Sequence, residues 1–415
     1  MAKTAVSDHE YRRAADVYEE LLPLLESQGD SPVHRELLAD TLIGCGQVRG
    51  ILGGLNRALV LLQRGKETAV TQDQLYRAAS LIGNTHIHLG NAVDALESHL
   101  EALQIAQSQG KRRWIASANS NISSSYKHSG DIDNAILSVK TAVVLYEQLD
   151  DAEGQVRSLI RLGLIYEFLG QFDKNIVALR KAERLARQHN IQQNLAVILN
   201  NLGECYQHLY AMEDALACHQ EGLEIARSLH IHAVEIDLRR NIGIDLIGLG
   251  DADDGVTYLW QALMRSRKMG LMDTVHQVLF SLALTELNAD DQEMARQHIM
   301  ELSTLADKSD RVSYRADALY ALGLYHQKMS DFGTARELLN KVCLLTNETR
   351  RSERLWQAHA ALAALADDDY IAAVHNRIAA ETIRQIADPI EDARLREIFL
   401  AAKPIRAVLD KTHTL

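Results

Sequence analysis

A forty-residue beat runs through this sequence and leaves few folds open to it. Gly90, Gly130, Gly170, Tyr210, Gly250, Asp290 and Ser330 each stand forty residues from the last. Seven residues ahead of each lies a second column, Gly83, Ser123, Gly163, Gly203, Gly243, Ala283 and Gly323, continued at Ala363. Five residues after each comes a third, Ala95, Ala135, Asn175, Ala215, Gly255, Ala295 and Ala335. Self-similarity at a period of this length marks an array built from one supersecondary unit. Small residues in two successive helices let them approach closely as an antiparallel pair, and glycine between them takes the left-handed backbone that ends a helix. The second helix of a unit carries apolar residues at helical spacing, as at Ala135, Ile136, Val139, Ala142, Val143 and Tyr146. One hairpin cannot bury that face alone, so neighbours must stack into a quasi-one-dimensional core.

At 415 residues the chain exceeds one ordinary core, which allows either several domains or an array. Proline separates the two. There are four, Pro23, Pro32, Pro389 and Pro404, and none between 33 and 388. Strand-rich chains and linkers use proline, whereas continuous helices exclude it. The fold class expected is all-α, with residues 31–385 as tandem repeats. Residues 1–30 read as an N-terminal capping helix or a truncated repeat, because 10–30 resembles a second helix with no first helix before it. Residues 386–415 read as a C-terminal capping helix and tail, with Pro389 stopping one helix and Ile390–Leu400 starting another.

Charge and cysteine usage narrow the function. The formal net charge of −12 argues against a general nucleic-acid binder, which needs a basic surface. No apolar run approaches membrane-spanning length and the N-terminus lacks an apolar signal core, so the expectation is a soluble, cytoplasmic protein without a membrane partner. Cys45, Cys205, Cys218 and Cys343 lie far apart with no CxxC spacing and read as reduced thiols packed as small apolar residues.

The segments LGLIYEFLGQFDKNIVALRKA (162–182) and NLGECYQHLYAMEDALACHQEGLEIA (201–226) resemble tetratricopeptide repeats, with Tyr126, Tyr166 and Tyr206 in the aromatic column. The resemblance extends from about Tyr11 to Ala380, with departures at His86, Asn175, Gly255 and Asp290. The units are longer than the usual repeat, as in kinesin light chains and bacterial signal-transduction regulators. This resemblance implies a right-handed superhelical solenoid of antiparallel hairpins that serves protein–protein interaction. The segment 386–409 is similar to the tail that closes repeat arrays in bacterial signal-transduction ATPases and transcriptional regulators.

No constellation nominates catalysis. GxSxG, HExxH, P-loop and dinucleotide motifs are absent, so the chain is read as a non-enzyme without cofactor. His86 and His88 are spaced by two, which puts them on different helix faces and not at one metal; His230 and His232 sit in an inter-repeat turn. The clusters Asp251, Asp253, Asp254 and Asp367–Asp369 fall at turns and read as helix caps or solvated surface. Lys111, Arg112 and Arg113 before Trp114 read as a solvated helix start, and Arg265, Arg267 and Lys268 as charges favoured at a helix C-terminus. Trp114, Trp260 and Trp356 read as packing residues.

The first-helix face, which lines the groove in stacked hairpins, is the better place to look. Two residues before the small column stand Asn121, Arg161, Asn201 and Asn241. Asn200 and Arg240 stand one further back, Arg157 lies four before Arg161, and Asn84 follows Gly83. Asparagine offers a donor and an acceptor to an extended peptide backbone, and arginine pairs with carboxylates. The order resembles the carboxylate clamp of chaperone-binding tetratricopeptide domains, with Arg157 where that clamp has lysine. Leu81 stands at the first asparagine position, so Asn84 fits only displaced by a turn, and Ser80 replaces the other lysine. The leading reading is a scaffold that binds an extended acidic peptide of a protein partner through Asn84, Asn121, Arg157, Arg161, Asn200, Asn201, Arg240 and Asn241. Against it stands the habit of asparagines in long repeats to bond between neighbouring helices. A second reading is a sensor module of a larger bacterial signalling protein, binding a peptide or small molecule. A third, assistance to dephosphorylation, would need a helical N-terminal domain larger than the segment before Pro32. End repeats left open could also stack into a homodimer.

Overall fold

The computed structural model describes residues 8–27, 31–309, 311–349 and 352–412; the outermost residues of the two end segments, 1–7 and 413–415, lie outside it, as do 28–30 at the first boundary. The described residues form helices and turns only. In chain order the helices are α1 (Asp8–Glu26), α2 (Pro32–Ile51), α3 (Leu55–Thr68), α4 (Gln72–His88), α5 (Ala92–Ser108), α6 (Arg112–Ser129) and α7 (Ile132–Gln148). There follow α8 (Ala152–Phe168), α9 (Phe172–Gln188), α10 (Gln192–His208), α11 (Met212–Ser228), α12 (His232–Leu249), α13 (Ala252–Met269) and α14 (Met272–Asn288). The last are α15 (Gln292–Asp307), α16 (Val312–Lys328), α17 (Phe332–Thr349), α18 (Ser352–Ala364), α19 (Asp369–Ala387), α20 (Ala393–Ala401) and α21 (Lys403–Thr412). They divide into two compact units, one of residues up to 165 with 184–189, the other of 166–183 and 190 onwards. Within each, consecutive helices pack as antiparallel hairpins and hairpin stacks on hairpin.

The turns explain the beat. Gly90, Gly130, Gly170, Tyr210, Gly250, Asp290 and Ser330 all have positive φ, from 58° to 101°. The amide after each reaches back across the turn, as Asp131 N–H to Tyr126 O at 2.9 Å and Asp251 N–H to Leu246 O at 2.8 Å, satisfying carbonyls the helix end would leave bare. A second set of left-handed residues joins one hairpin to the next, Gly110, Asp150, Asn190, His230 and Gly270, twenty residues out of phase. Glycine, asparagine, aspartate and histidine are the residues that tolerate this backbone. The chain therefore turns every twenty residues, and forty is the beat of the hairpin.

The small column is where the two helices of a hairpin touch. A Cβ built on Gly83 would lie 2.3 Å from the ring of His99, and one on Gly203 2.2 Å from that of His219. At Gly323 the facing side chain is Leu339. The opposing position, sixteen residues on, is thus His99, Val139, Leu179, His219, Leu259, Ile299 and Leu339, every one buried. The columns also reach one hairpin earlier, displaced by three: Gly53 makes the turn with φ 83°, and Gly46 meets Leu62. There α2 has 20 residues and α3 only 14, so the sum is kept while the turn moves.

The ends differ. Helix α1 packs Leu22 against Leu42, Cys45 and Leu61, while Val17, Leu21 and Leu24 on its other side are exposed. Helix α21 packs on α19 with Ile405 and Val408 buried, and α20 touches both while its Arg394 and Phe399 reach the α10–α11 hairpin. Gly203→Ala should lower stability by about 1–3 kcal/mol through overpacking against His219. Gly333→Ala, whose Cβ would meet nothing within 4 Å, should be neutral or stabilising, and thermal unfolding followed by circular dichroism compares the two.

Candidate functional site

Residues singled out from the first helices form two separate clusters, one in each unit. In the first unit Arg161, partly buried on α8, donates from Nη1 to three acceptors of α6: Ser120 O at 2.6 Å, Asn121 Oδ1 at 3.1 Å and Ser124 Oγ at 3.2 Å. Its Nε and Nη2 hydrogens have no acceptor among the described residues, and no described carboxylate pairs with it. Burial pulls its pKa down, and the charge of Arg157 one turn back adds to that pull. A desolvated guanidinium without a counter-ion is an unusual expense in a folded chain. Arg157 is half-exposed and reaches Glu153 at 2.6 Å, a solvated pair of little strength. Asn121 is buried under Arg161, and Asn84, partly buried on α4, makes no side-chain hydrogen bond to a described residue. Leu164, on the same face of α8, is exposed.

In the second unit the nominated residues hold one another. Asn241 Nδ2 donates to Asn200 Oδ1 at 2.9 Å and to Glu204 Oε1 at 3.0 Å, and Asn241 is 1% exposed. Arg240 donates to Glu204 Oε1 at 2.7 Å, to Asn241 Oδ1 at 2.8 Å and to Gln277 of α14. Asn200 Nδ2 lies 3.5 Å from Asn201 Oδ1. Burial works against the Glu204 carboxylate, but the Arg240 charge and the Asn241 hydrogen bond prevail and hold its pKa down. Asn200, Arg240 and Asn241, assigned in the sequence to a peptide, are here committed between α10, α12 and α14, bridging partners about one beat apart, while Asn201 reaches Asn200 on its own helix.

Beneath this network lies a pair that the sequence did not announce. His219 Nδ1 donates to Asp245 Oδ2 at 2.6 Å, His219 Nε2 lies 3.2 Å from Asn200 O, and both residues are fully buried. Gln207 Nε2 closes the set, donating to Asp245 Oδ1 at 2.7 Å. His99, its counterpart in the first unit, shares a 2.8 Å hydrogen bond with Ser125 Oγ. Burial lowers the His99 pKa to about 4, with the Arg161 charge adding to the effect.

The remaining candidates are structural. Trp114 stacks on Tyr76 at 4.4 Å with Lys111 Nζ 3.5 Å over its ring. Asp368 caps α19 by accepting the Tyr370 amide at 2.6 Å, Asp367 pairs with Arg336, and Asp251 makes no side-chain cap. His230 and His232 have ring centroids 6.4 Å apart. Among the described residues no three metal-ligating side chains converge, and no helix is long and apolar enough to cross a membrane.

Models of the tetratricopeptide repeat match residues 156–189 and 195–230, the α8–α9 and α10–α11 hairpins. These two hairpins match the tetratricopeptide repeat. Tetratricopeptide repeat protein 29 of Trypanosoma brucei brucei is 27% identical over 136 residues, 33% of this chain and 27% of that protein's length. A Rap protein complexed with competence and sporulation factor superposes with a TM-score of 0.59 at 12% identity, over 84% of this chain and 100% of that one. The Rap conjugation gene regulator of plasmid pLS20, in complex with a Phr peptide, gives 0.54 at 14% identity, over 83% and 97%. The signal transduction ATPase of Pyrococcus horikoshii with a tetratricopeptide repeat sensor gives 0.54 at 14% identity, over 80% of this chain and 52% of that one. These likenesses show the fold.

Two measurements follow. An unfolded histidine takes its proton near pH 6.5, whereas folded His99 resists to about 4. The first unit is therefore fully stabilised above pH 6.5 and loses on the order of 3 kcal/mol as pH falls towards 4. His99→Leu, the aliphatic choice of neighbouring repeats, should flatten that slope in pH-dependent urea unfolding. Arg240→Ala, which strips Glu204 of its charge partner, should cost about 2–3 kcal/mol in the same assay.

Proposed function

We propose that this chain is a non-catalytic interaction scaffold that holds an extended, acidic segment of a protein partner against the first-helix face of α6 and α8. The observation that carries the reading is Arg161, half-sunk between these helices with donors to spare and no carboxylate. Its three bonds to α6 fix the guanidinium in one orientation, so little conformational freedom is lost when an anion docks. Arg157, one turn away, adds a second charge that an incoming carboxylate can draw from Glu153. Leu164 gives the face an apolar contact beside the charges. Asn121 positions Arg161, and Asn84 offers an uncommitted amide on α4. In the second unit the role of Asn200, Arg240 and Asn241 is to stiffen the wall by bonding helix to helix, with Asn201 joined to Asn200 on its own helix. A fold shared with a regulator solved in complex with a peptide supports a peptide-binding use of the repeats.

The test is a set of peptides, acidic, neutral and basic, offered to the wild-type chain and to Arg161→Ala and Arg161→Lys. Acidic peptides should bind best, and affinity should fall about tenfold or more in Arg161→Ala with the helical circular-dichroism signal unchanged. Arg161→Lys, which keeps the charge and loses the fork, should recover part of it. Equal affinity of all three proteins for the acidic peptides would remove the reading.

A further inference from the structure

The turn between α10 and α11 departs from its column in three ways. Position 210 is tyrosine at φ 58°, where 90, 130, 170 and 250 are glycine and 290 and 330 are aspartate and serine. A bulky side chain on this backbone is strained and persists only where its surroundings hold it. Leu209 is 0% exposed, although Leu249 and Met329 at the same point of their turns are each 37% exposed. Ala211 is buried, whereas Asp251, Asp291 and Asp331 are exposed.

What accompanies this difference comes from the far end of the chain. Phe399 of α20 is 2% exposed, and its ring centroid lies 6.2 Å from that of Tyr210. Arg394, five residues earlier on α20, donates from Nη2 to Asp214 Oδ2 at 2.7 Å across 180 residues of sequence. All of these residues belong to the second unit. Helix α20 has nine residues and hangs between two non-helical joints, 388–392 with Pro389 on one side and Ala402, extended at φ −58° and ψ 134°, on the other.

We propose that α20 is an intramolecular clasp. It docks through Phe399 and Arg394 on the α10–α11 turn, closes the chain between 210 and 399 into a loop, and holds α11 to α19 at one spacing. Tyr210 stands in a glycine column because it receives Phe399, and the aromatic contact offsets its backbone strain. One aromatic anchor, a second buried side chain at Leu395 and one solvated ion pair on a short, doubly jointed helix make a contact that opens and recloses while the hairpins stay folded.

Hydrogen exchange on the full chain tests this, with the equivalent turn 249–255 as internal reference. In Phe399→Ala and in Arg394→Asp the amides of 209–215 should exchange about tenfold faster, with 249–255 unchanged. The charge-swapped pair Arg394→Asp with Asp214→Arg should return 209–215 to the wild-type rate. Arg394 is exposed, so its variant reports even if Phe399→Ala unfolds the second unit. Unchanged exchange at 209–215 in Arg394→Asp, or a charge-swapped pair no better than the single variant, would overturn the clasp. Protection that rises with protein concentration would also overturn it, by assigning the docked helix to a second copy.

Discussion

The contact on which everything else rests is the near-touch of two helices at the small column. Gly83 against His99, Gly203 against His219 and Gly323 against Leu339 leave no room for a methyl group at the first two. That closeness sets how each hairpin folds. It also brings the first helices of successive hairpins side by side, so that residues about forty apart in sequence meet through their side chains. Arg161 with Asn121, Asn241 with Asn200 and Gln207 with Asp245 are all consequences of one spacing.

The same spacing explains what could and could not be read from residues alone. Turn glycines, the small column and the apolar stripe of α7 are local signals, and each falls where the helical periodicity puts it. The inter-hairpin turns were legible too, as Gly110, Asp150, Asn190, His230 and Gly270, had the twenty-residue phase been followed. The placement of Asn200, Asn201, Arg240 and Asn241 was harder. Periodicity gives the angle of a side chain around its own helix, and that angle points equally to an open face and to the flank of the next first helix. Only the lateral distance between α10 and α12 decides, and it draws these amides together. His99 and His219 stood in an otherwise aliphatic column sixteen residues after the small one, a signal that pattern reading could have found. The docking of Phe399 on Tyr210 spans 189 residues, and nothing local to either end announces it beyond a tyrosine where glycine is the rule.

The two polar clusters are differently balanced, and that difference is what assigns them roles. In the second unit Arg240 has the Glu204 carboxylate opposite it and Asn241 bonds across to Asn200, so the network carries its own counter-charge and rigidifies, although the Arg240 Nε is buried without a partner among the described residues. In the first unit Arg161 has dipoles but no charge opposite it, with Arg157 close enough to make matters worse. An incomplete network at a reachable face is a place where a ligand completes what the fold leaves open.

The most direct test of that claim is where a bound acidic segment lies. A photo-crosslinking residue at Leu164, on the exposed face of α8 one turn past Arg161, should capture an acidic peptide bound to the chain, and the same residue at Lys140, exposed on α7, should not. Capture from position 140 with none from 164 would place the ligand on the second helices and contradict the account.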